Sequence, residues 1–129
     1  MADALTAQQT ADAVGVHLFA NDRASKAMGM RIVAISEGEA FLEMPVRDDM
    51  VNGFDICHGG FITTLADSAF AFACNSTGDM TVAAGLTVDF LAPAPWPASP
   101  GSTRRPFTRC ARPRTIATCS PRWFVTVMS

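Results

Sequence analysis

The sequence lacks the features that mark membrane proteins, metalloproteins and nucleotide-binding proteins. No apolar run approaches the roughly 20 residues that cross a bilayer, so we expect no membrane span. There are two histidines, and no second Cys/His pair stands at metal-ligand spacing. No glycine-rich phosphate loop of the Walker or dinucleotide type is present. These absences predict a protein that works without a metal or another cofactor.

The start of the sequence shows no apolar stretch of the kind found in signal peptides. The cysteines stand at irregular spacings, at Cys57, Cys74, Cys110 and Cys119. Together these observations predict reduced thiols in a cytoplasmic protein. With 129 residues, 49% of them hydrophobic, the chain is long enough for one compact core, so we expect a single domain over residues 1–129.

Charge and proline are divided sharply near residue 92. All 12 acidic residues precede this point together with four bases, whereas residues 93–129 hold six arginines and no acid. Seven of the 8 prolines also lie in this last segment. A change this abrupt is typical of a boundary. Aromatic residues between the arginines are sparse, so we expect no nucleic-acid partner.

Hydrophobic spacing predicts an ordered series of elements. Residues 7–28 have the composition of a covering helix, and residues 30–46 alternate as a two-stranded hairpin. Residues 47–60 are polar and glycine-bearing, which favours a loop. Residues 61–75 are apolar in nearly every direction around a helix axis, which predicts a central buried helix. Residues 80–94 favour one long strand, or a strand with a bulge at Gly85, that ends at Pro93. The order predicts an α+β domain whose antiparallel sheet curls around one helix.

Two unusual features belong to the central helix. Gly59 and Gly60 stand where it should begin, and a bare helix N-terminus stabilises an anion or a polarised carbonyl oxygen. The same glycines also suit a simple tight turn. Asp67 stands in the middle of the apolar stretch, where burial would raise its pKa towards that of a general base. A carboxylate hydrogen-bonded beside Thr64 and Ser68 is the alternative.

The spacing of these features predicts a dimer. Gly59 and Asp67 are eight residues apart, which is roughly 12 Å along one helix axis. One copy cannot bring both residues to a single carbonyl group. If both serve one site, the carboxylate comes from a second subunit whose helix runs antiparallel, and the site lies at a two-fold interface.

The loop before the helix supplies two supporting candidates. Asn52 and His58 flank it and are able to orient a water molecule or a carbonyl group. A nucleophilic pair of Cys57 with His58 is disfavoured, because adjacent residues point in different directions. We interpret His17 as a surface residue of the covering helix.

The stretches "NGFDICHGGFITTLADSAFAFACNS" and "VDFLAPA" resemble the hot-dog-fold acyl-CoA thioesterases of the phenylacetic-acid-degradation (PaaI) type. The resemblance covers about residues 17–94. It implies a hot-dog fold, in which a curved antiparallel sheet wraps one long helix, and dimers that pair into tetramers. It also implies hydrolysis of aromatic acyl-CoA thioesters, with phenylacetyl-CoA or hydroxyphenylacetyl-CoA as the concrete substrate.

The resemblance also implies roles for individual residues. Asp67 matches the catalytic carboxylate, which activates water or attacks the thioester carbon across the dimer interface. Gly59, or its neighbour Gly60, matches the backbone donor that polarises the thioester carbonyl. Asn52 and His58 match supporting residues of the site. We assign Gly60, Thr64 and Ser68 to substrate binding.

Residues 95–129 depart from this pattern. Prolines 95, 97, 100 and 106 remove ladder donors, so a central strand cannot run through them. The segment "RTIATC" is strand-like, but the closing strands of the sheet otherwise have little support. The bias towards Arg, Pro and Ser is typical of a GC-rich gene read out of frame, which is a hypothesis that resequencing would decide.

Two alternatives to a thioesterase stay open. A non-catalytic hot-dog module would bind acyl-CoA or a partner subunit, and would give a tight complex without turnover. An acyl-CoA hydratase on the same fold would need an aspartate and a histidine together, and Asp67 has no such histidine in its own helix.

Overall fold

The structure is a computed structural model. It describes residues 4–90 and 93–94, together with the backbone of three strands at 107–111, 115–119 and 123–127. Within these residues no helix is long and apolar enough to cross a membrane.

The N-terminal region forms two helices where the sequence predicted one. Helix α1 spans Ala7–Asn21 and helix α2 spans Arg23–Ala27. The break falls at Asp22, whose side chain caps α2 by accepting a hydrogen bond from the Ser25 backbone N–H at 2.9 Å. Aspartate is a preferred N-cap residue, so it starts a new helix inside an otherwise helical composition.

The predicted hairpin is confirmed. Strands β1 (Arg31–Ser36) and β2 (Glu39–Glu43) pair antiparallel across a two-residue turn. Gly38 has a φ of 74° in that turn, a conformation that costs glycine little. The pairing register shifts between Ile32 and Ala34, so Val33 interrupts the regular ladder. The inner face of β2 is fully buried and supplies Ala40 and Leu42 to the core.

The central helix α3 spans Gly59–Asn75, close to the predicted range. A short 3₁₀ turn at Asp48–Met50 and an antiparallel bridge between Val51 and Cys57 lead into it. Its buried side chains form most of one face, namely Ile62, Leu65, Ala66, Ala69, Phe70, Phe72, Ala73 and Cys74.

The expectation that α3 is buried on every side is wrong for the single chain. Gly60, Asp67 and Ala71 are exposed, and Thr64 is half-buried. Residues spaced by three or four positions lie on one helix face, so these four form a stripe along α3. We call Gly60, Thr64, Asp67 and Ala71 the open stripe.

The six strands that the structure describes form one sheet in the order β1-β2-β4-β5-β6-β3. Strand β3 spans Thr87–Asp89, β4 spans Phe107–Ala111, β5 spans Thr115–Cys119 and β6 spans Trp123–Val127. Neighbouring strands pair antiparallel, and α3 packs against the middle of the sheet.

The closing strands that the sequence left with little support are therefore present. The segment "RTIATC" contains β5, as predicted. Prolines 95, 97, 100 and 106 all precede the first residue of β4, so none interrupts a described strand. These prolines themselves lie outside the described residues, and the frame-shift hypothesis stays a prediction.

The predicted strand over residues 80–94 is largely wrong. Among the described residues of this range only Thr87–Asp89 form a strand, because these three residues pair with β6. Among the described residues no strand pairs with 80–86, and a backbone without a ladder partner does not form a sheet. Met80 is 95% exposed and Val82 is 83% exposed in this segment.

The core lies between α3 and the hairpin. It contains Met30, Ala40, Leu42, Met44, Met50 and Cys57 together with the buried face of α3. A polar contact joins the two elements at one end, where the fully buried Ser76 accepts a hydrogen bond from the Gly38 N–H at 2.7 Å. The Ser76 hydroxyl donates to the Ala73 carbonyl at 2.8 Å.

We predict that Ser76→Ala lowers the free energy of unfolding by about 1–3 kcal/mol, because the buried Gly38 N–H loses its acceptor. Urea-induced unfolding followed by circular dichroism measures the change. Asp79→Ala is the control, since Asp79 is exposed and surface substitutions usually change stability by less than about 0.5 kcal/mol. Equal stability of Ser76→Ala and the wild type would contradict the prediction.

Candidate active site at the start of the central helix

Hydrogen bonds from several elements hold the start of α3 in place. His58 is the N-cap residue, and its Nδ1 accepts a hydrogen bond from the Gly60 N–H at 3.1 Å. The His58 N–H donates to the Met50 carbonyl at 2.8 Å, and the Cys57 N–H donates to the Ala94 carbonyl at 2.8 Å. The backbone that enters the helix is therefore fixed on both sides.

This capping separates the two glycines that the sequence left equivalent. The Gly60 N–H is taken by His58, whereas the Gly59 N–H has no hydrogen-bond partner among the described residues. An unpaired N–H at the positive end of a helix is suited to a carbonyl oxygen or an anion. The geometry therefore favours Gly59 as the donor, with Gly60 serving the cap.

The cap also orders the His58 imidazole. Since Nδ1 accepts a hydrogen bond, the proton of the neutral ring lies on Nε2. The His58 side chain is exposed, and its ring stands edge-on to Phe61 at a centroid distance of 6.5 Å. An Nε2–H donor is thus available beside the helix start.

Phe90 forms a wall of the helix start, and sequence reasoning assigned it no role. A Cβ atom on Gly59 would lie 2.8 Å from Cζ of the Phe90 ring, closer than real Cβ contacts. Glycine at position 59 therefore lets the ring lie against the backbone. Phe90 is 51% exposed, so its ring also faces the space outside the helix start. Phe90 belongs to the stretch "VDFLAPA", which resembles the thioesterase family, and this was the sequence signal that could have marked it as a residue of the site.

Asp67 is exposed in the single chain, so the expectation that the chain itself buries this carboxylate is wrong. It lies on the open stripe, directed away from the core of its own subunit. The eight-residue interval within α3 places it roughly 12 Å along the axis from Gly59. One chain does not bring these two groups together.

Asn52 lies in a tight turn before the helix. Its Oδ1 accepts a hydrogen bond from the Phe54 N–H at 2.9 Å, and its own N–H donates to the Ile56 carbonyl at 2.9 Å. Asp55 completes the turn with a φ of 57°, a left-handed conformation that aspartate tolerates. The side-chain amide of Asn52 keeps its N–H donors without a partner among the described residues.

The predicted substrate-binding hydroxyls already have partners. Thr64 donates to the Gly60 carbonyl at 2.9 Å, a contact within the helix. The Ser68 Oγ lies 2.9 Å from the Ser25 Oγ of α2. Both oxygens retain lone pairs that are able to accept a further hydrogen bond.

Cys57 is buried, and burial raises the pKa of its thiol to about 11. A thiol with a raised pKa is a poor nucleophile near neutral pH. Within the described residues no group of three or more His, Cys, Asp and Glu side chains is placed to hold a metal ion.

Residues 54–99 match the family profile of the thioesterase superfamily. The antiparallel sheet packed against α3 and the similarity to a solved PaaI structure show that the chain has the hot-dog fold, as its motifs implied.

Two curated proteins are similar to this chain over part of their length. The chain is 47% identical over 76 residues to the acyl-coenzyme A thioesterase PaaI of Escherichia coli, an alignment that covers 59% of this chain and 54% of the relative. It is 35% identical over 83 residues to a putative esterase of Archaeoglobus fulgidus, covering 64% of this chain and 54% of that protein. The alignments thus span about half the length of these curated relatives.

The solved structure of the E. coli PaaI protein, from the phenylacetic acid degradation operon, matches over a longer range. It covers 94% of this chain and 93% of that chain, with a TM-score of 0.79 and 28% identity. The strands after residue 94 therefore follow the fold of that protein, although the sequence alignment is shorter.

We predict that Gly59→Ala displaces the Phe90 ring, because the new methyl group would lie 2.8 Å from it. A double-mutant cycle with Phe90→Ala should show a coupling of at least about 0.5 kcal/mol in the free energy of unfolding. Gly53→Ala is the control, since nothing lies within 4 Å of the added Cβ. Additive effects of Gly59→Ala and Phe90→Ala would refute the contact.

A second prediction concerns the Cys57 thiol. The folded state holds the thiol proton more tightly than the unfolded state, so this contribution to stability is present below pH 9.0 and is lost as the pH rises towards about 11. We expect the unfolding free energy to fall more steeply above pH 9.0 in the wild type than in Cys57→Ala, by up to about 1.4 kcal/mol per pH unit. Parallel curves of unfolding free energy against pH for the wild type and Cys57→Ala would show that the Cys57 thiol does not contribute to this pH dependence.

Proposed function

We propose that this domain hydrolyses acyl-CoA thioesters to a free acid and CoA at a site shared between two subunits. The observation that carries the proposal is the pair of open groups on α3. The Gly59 N–H has no partner among the described residues, and the Asp67 carboxylate is exposed. They lie too far apart to act together in one chain.

The Gly59 N–H would donate to the thioester carbonyl oxygen and stabilise the negative charge that develops there. Asp67 of the partner subunit would take a proton from a water molecule that attacks the thioester carbon, or would attack that carbon itself. The C–S bond then breaks and CoA leaves as a thiolate, which takes up the proton held by Asp67 after attack by water, or a proton from solvent after direct attack. Direct attack leaves an acyl anhydride on Asp67, which a water molecule then hydrolyses to the free acid and the regenerated carboxylate. The Nε2–H of His58 and the Asn52 amide would donate hydrogen bonds to the carbonyl group or to the water.

A two-fold interface along the open stripe would provide this arrangement. If Gly59 of one subunit faces Asp67 of the other, the two-fold axis passes nearest the midpoint of their positions, at Thr63. Small side chains on the open stripe, such as Gly60 and Ala71, would let two helices approach closely. The exposed Met80 and Val82, in the segment that precedes β3, supply apolar surface for the same partner.

The acyl group that we propose is phenylacetyl or hydroxyphenylacetyl. The support is the similarity to PaaI of E. coli, a protein named as an acyl-coenzyme A thioesterase and encoded in a phenylacetic acid degradation operon. Pairing of dimers into tetramers stays a prediction.

We predict that Asp67→Asn lowers kcat for phenylacetyl-CoA by about 10²–10⁴-fold, because the general base or nucleophile is lost. A thiol reagent that reports released CoA measures the rate. Asp79→Asn, at an exposed aspartate beyond α3, should retain wild-type activity. Equal rates of Asp67→Asn and wild type would remove this residue from the reaction, and tight acyl-CoA binding without turnover in the wild type would favour a non-catalytic module.

A mixed-subunit experiment tests the shared site directly. Gly59→Pro removes the N–H donor at the first helical position, where proline is well tolerated, and His58 already has the extended backbone that precedes proline. Phe90→Ala in the same chain makes room for the proline ring at position 59. Phe90→Ala alone controls for the loss of the phenyl ring.

Refolding the Gly59→Pro/Phe90→Ala chain together with the Asp67→Asn chain should restore activity to about a quarter of that of the wild type, because the complete site uses the unchanged Gly59 and Phe90 of the Asp67→Asn chain. Half of randomly formed dimers are mixed, and each mixed dimer has one complete site of two. A site contained in one chain predicts no recovery, and that result would overturn the two-subunit proposal.

A further inference from the structure

A carboxylate and two hydroxyl groups connect the junction of α1 and α2 to the middle of α3. Oδ1 of Asp22 accepts from the Ser25 backbone N–H at 2.9 Å, and Oδ2 accepts from the Ser25 hydroxyl at 2.6 Å. The Ser25 and Ser68 hydroxyl oxygens are 2.9 Å apart. Ser68 follows Asp67 directly, so the connection ends beside the candidate catalytic carboxylate.

The number of protons sets the direction of these hydrogen bonds. The carboxylate of Asp22 only accepts, so the single hydroxyl proton of Ser25 is used at the 2.6 Å contact. The Ser68 hydroxyl must therefore donate to Ser25. We call Asp22, Ser25 and Ser68 the hydroxyl link.

The Ser25 hydroxyl is not required to cap α2. The cap uses the backbone N–H of Ser25, which alanine would supply equally well. Ser25 is 1% exposed, and a hydroxyl group buried without partners costs free energy. Its two contacts, to Asp22 and to Ser68, are what make a serine at this position favourable.

The hydroxyl link differs from the threonine side-chain hydrogen bonds of α3. Thr63 and Thr64 donate to carbonyl groups four residues earlier in the same helix, so their contacts do not depend on the surroundings of the helix. Ser68 instead bonds to another element. Consecutive residues on a helix are about 100° apart around the axis, so holding Ser68 against α2 sets the direction in which Asp67 points.

We propose that Ser25 and Asp22 are positioning residues for the reaction, acting through Ser68 to hold the rotation of α3 and thereby the direction of Asp67. This inference rests on the proposed thioesterase function. A carboxylate that reaches across a subunit interface depends on the setting of its helix, since a displacement of about 1 Å can cost up to roughly 100-fold in rate.

The test compares kcat and KM of Ser25→Ala, Ser68→Ala and the double variant with phenylacetyl-CoA. Each of these three variants removes the same link, so we expect a similar loss of kcat in all of them, about 10-fold or more. KM should change by less than about threefold. Asp22→Asn keeps a capping oxygen, and its amide N–H would reverse the hydroxyl directions without removing the link. It should therefore retain kcat within about threefold.

Ser76→Ala is the matched control, because it removes a buried serine hydroxyl at the other end of α3. It should lower stability but leave kcat unchanged at a temperature where all variants are folded. Ser25→Ala in the Asp67→Asn background should cause no further loss, since the group being positioned is absent.

An unchanged kcat in Ser25→Ala, or an equal loss in Ser76→Ala, would overturn the inference while leaving the proposed function in place. An inactive wild type, or full activity of Asp67→Asn, would instead reject the proposed function. Amide hydrogen exchange gives a readout besides activity. Exchange in α3 around residue 67 should accelerate in Ser25→Ala, and unchanged exchange would contradict the anchoring role.

Discussion

The hydrogen bond from the Gly60 N–H to Nδ1 of His58 is the contact on which the candidate site depends. It satisfies one N–H group at the start of α3 and leaves the Gly59 N–H open. It also turns the imidazole so that Nε2 carries the proton. The same residue ties the loop to the core through the Met50 carbonyl. One N-cap side chain thus determines which donor is free and where the helix begins.

The second constraint is the length of α3. The helix carries both an open donor and an exposed carboxylate, and its own rise keeps them apart. Because most of its other side chains face the core, the open stripe is the surface left for a second subunit. In the single chain the exposed Asp67 carboxylate costs no burial free energy and has no evident role. In the proposed dimer its role depends on the group of the second subunit that lies opposite it. The hydroxyl link to α2 bears on the same arrangement, because it holds α3 in the orientation that directs the Asp67 carboxylate towards a second subunit.

Much of the fold was predictable from local pattern. The hairpin followed from alternating apolar residues around Gly38, and α3 followed from its apolar run between two glycines and Asn75. The split of α1 from α2 was missed because the helical composition continues through Asp22, whose capping depends on its rotamer. The strand predicted over 80–94 was wrong over most of its length, because β-forming residues such as Val82 need a partner strand that the described chain does not supply. The sequence offered little support for closing strands after residue 94 because of prolines 95, 97, 100 and 106. Strands β4, β5 and β6 nevertheless form, because these prolines precede β4 and do not interrupt the strands.

The sequence by itself determined the hot-dog fold, through a specific motif around "CHGG" and Asp67, and it determined that one copy of α3 is too long to unite its two reactive groups. Only the tertiary structure decided which glycine keeps a free N–H, that Phe90 lies against it, and that Asp67 is exposed. It also brought Asp22 and Ser25 to Ser68, residues far apart along the chain. The physical reason is that helix rise and apolar periodicity are local properties of a sequence. Hydrogen-bond partners and exposure depend on which elements pack together, and that is settled only when the chain is folded.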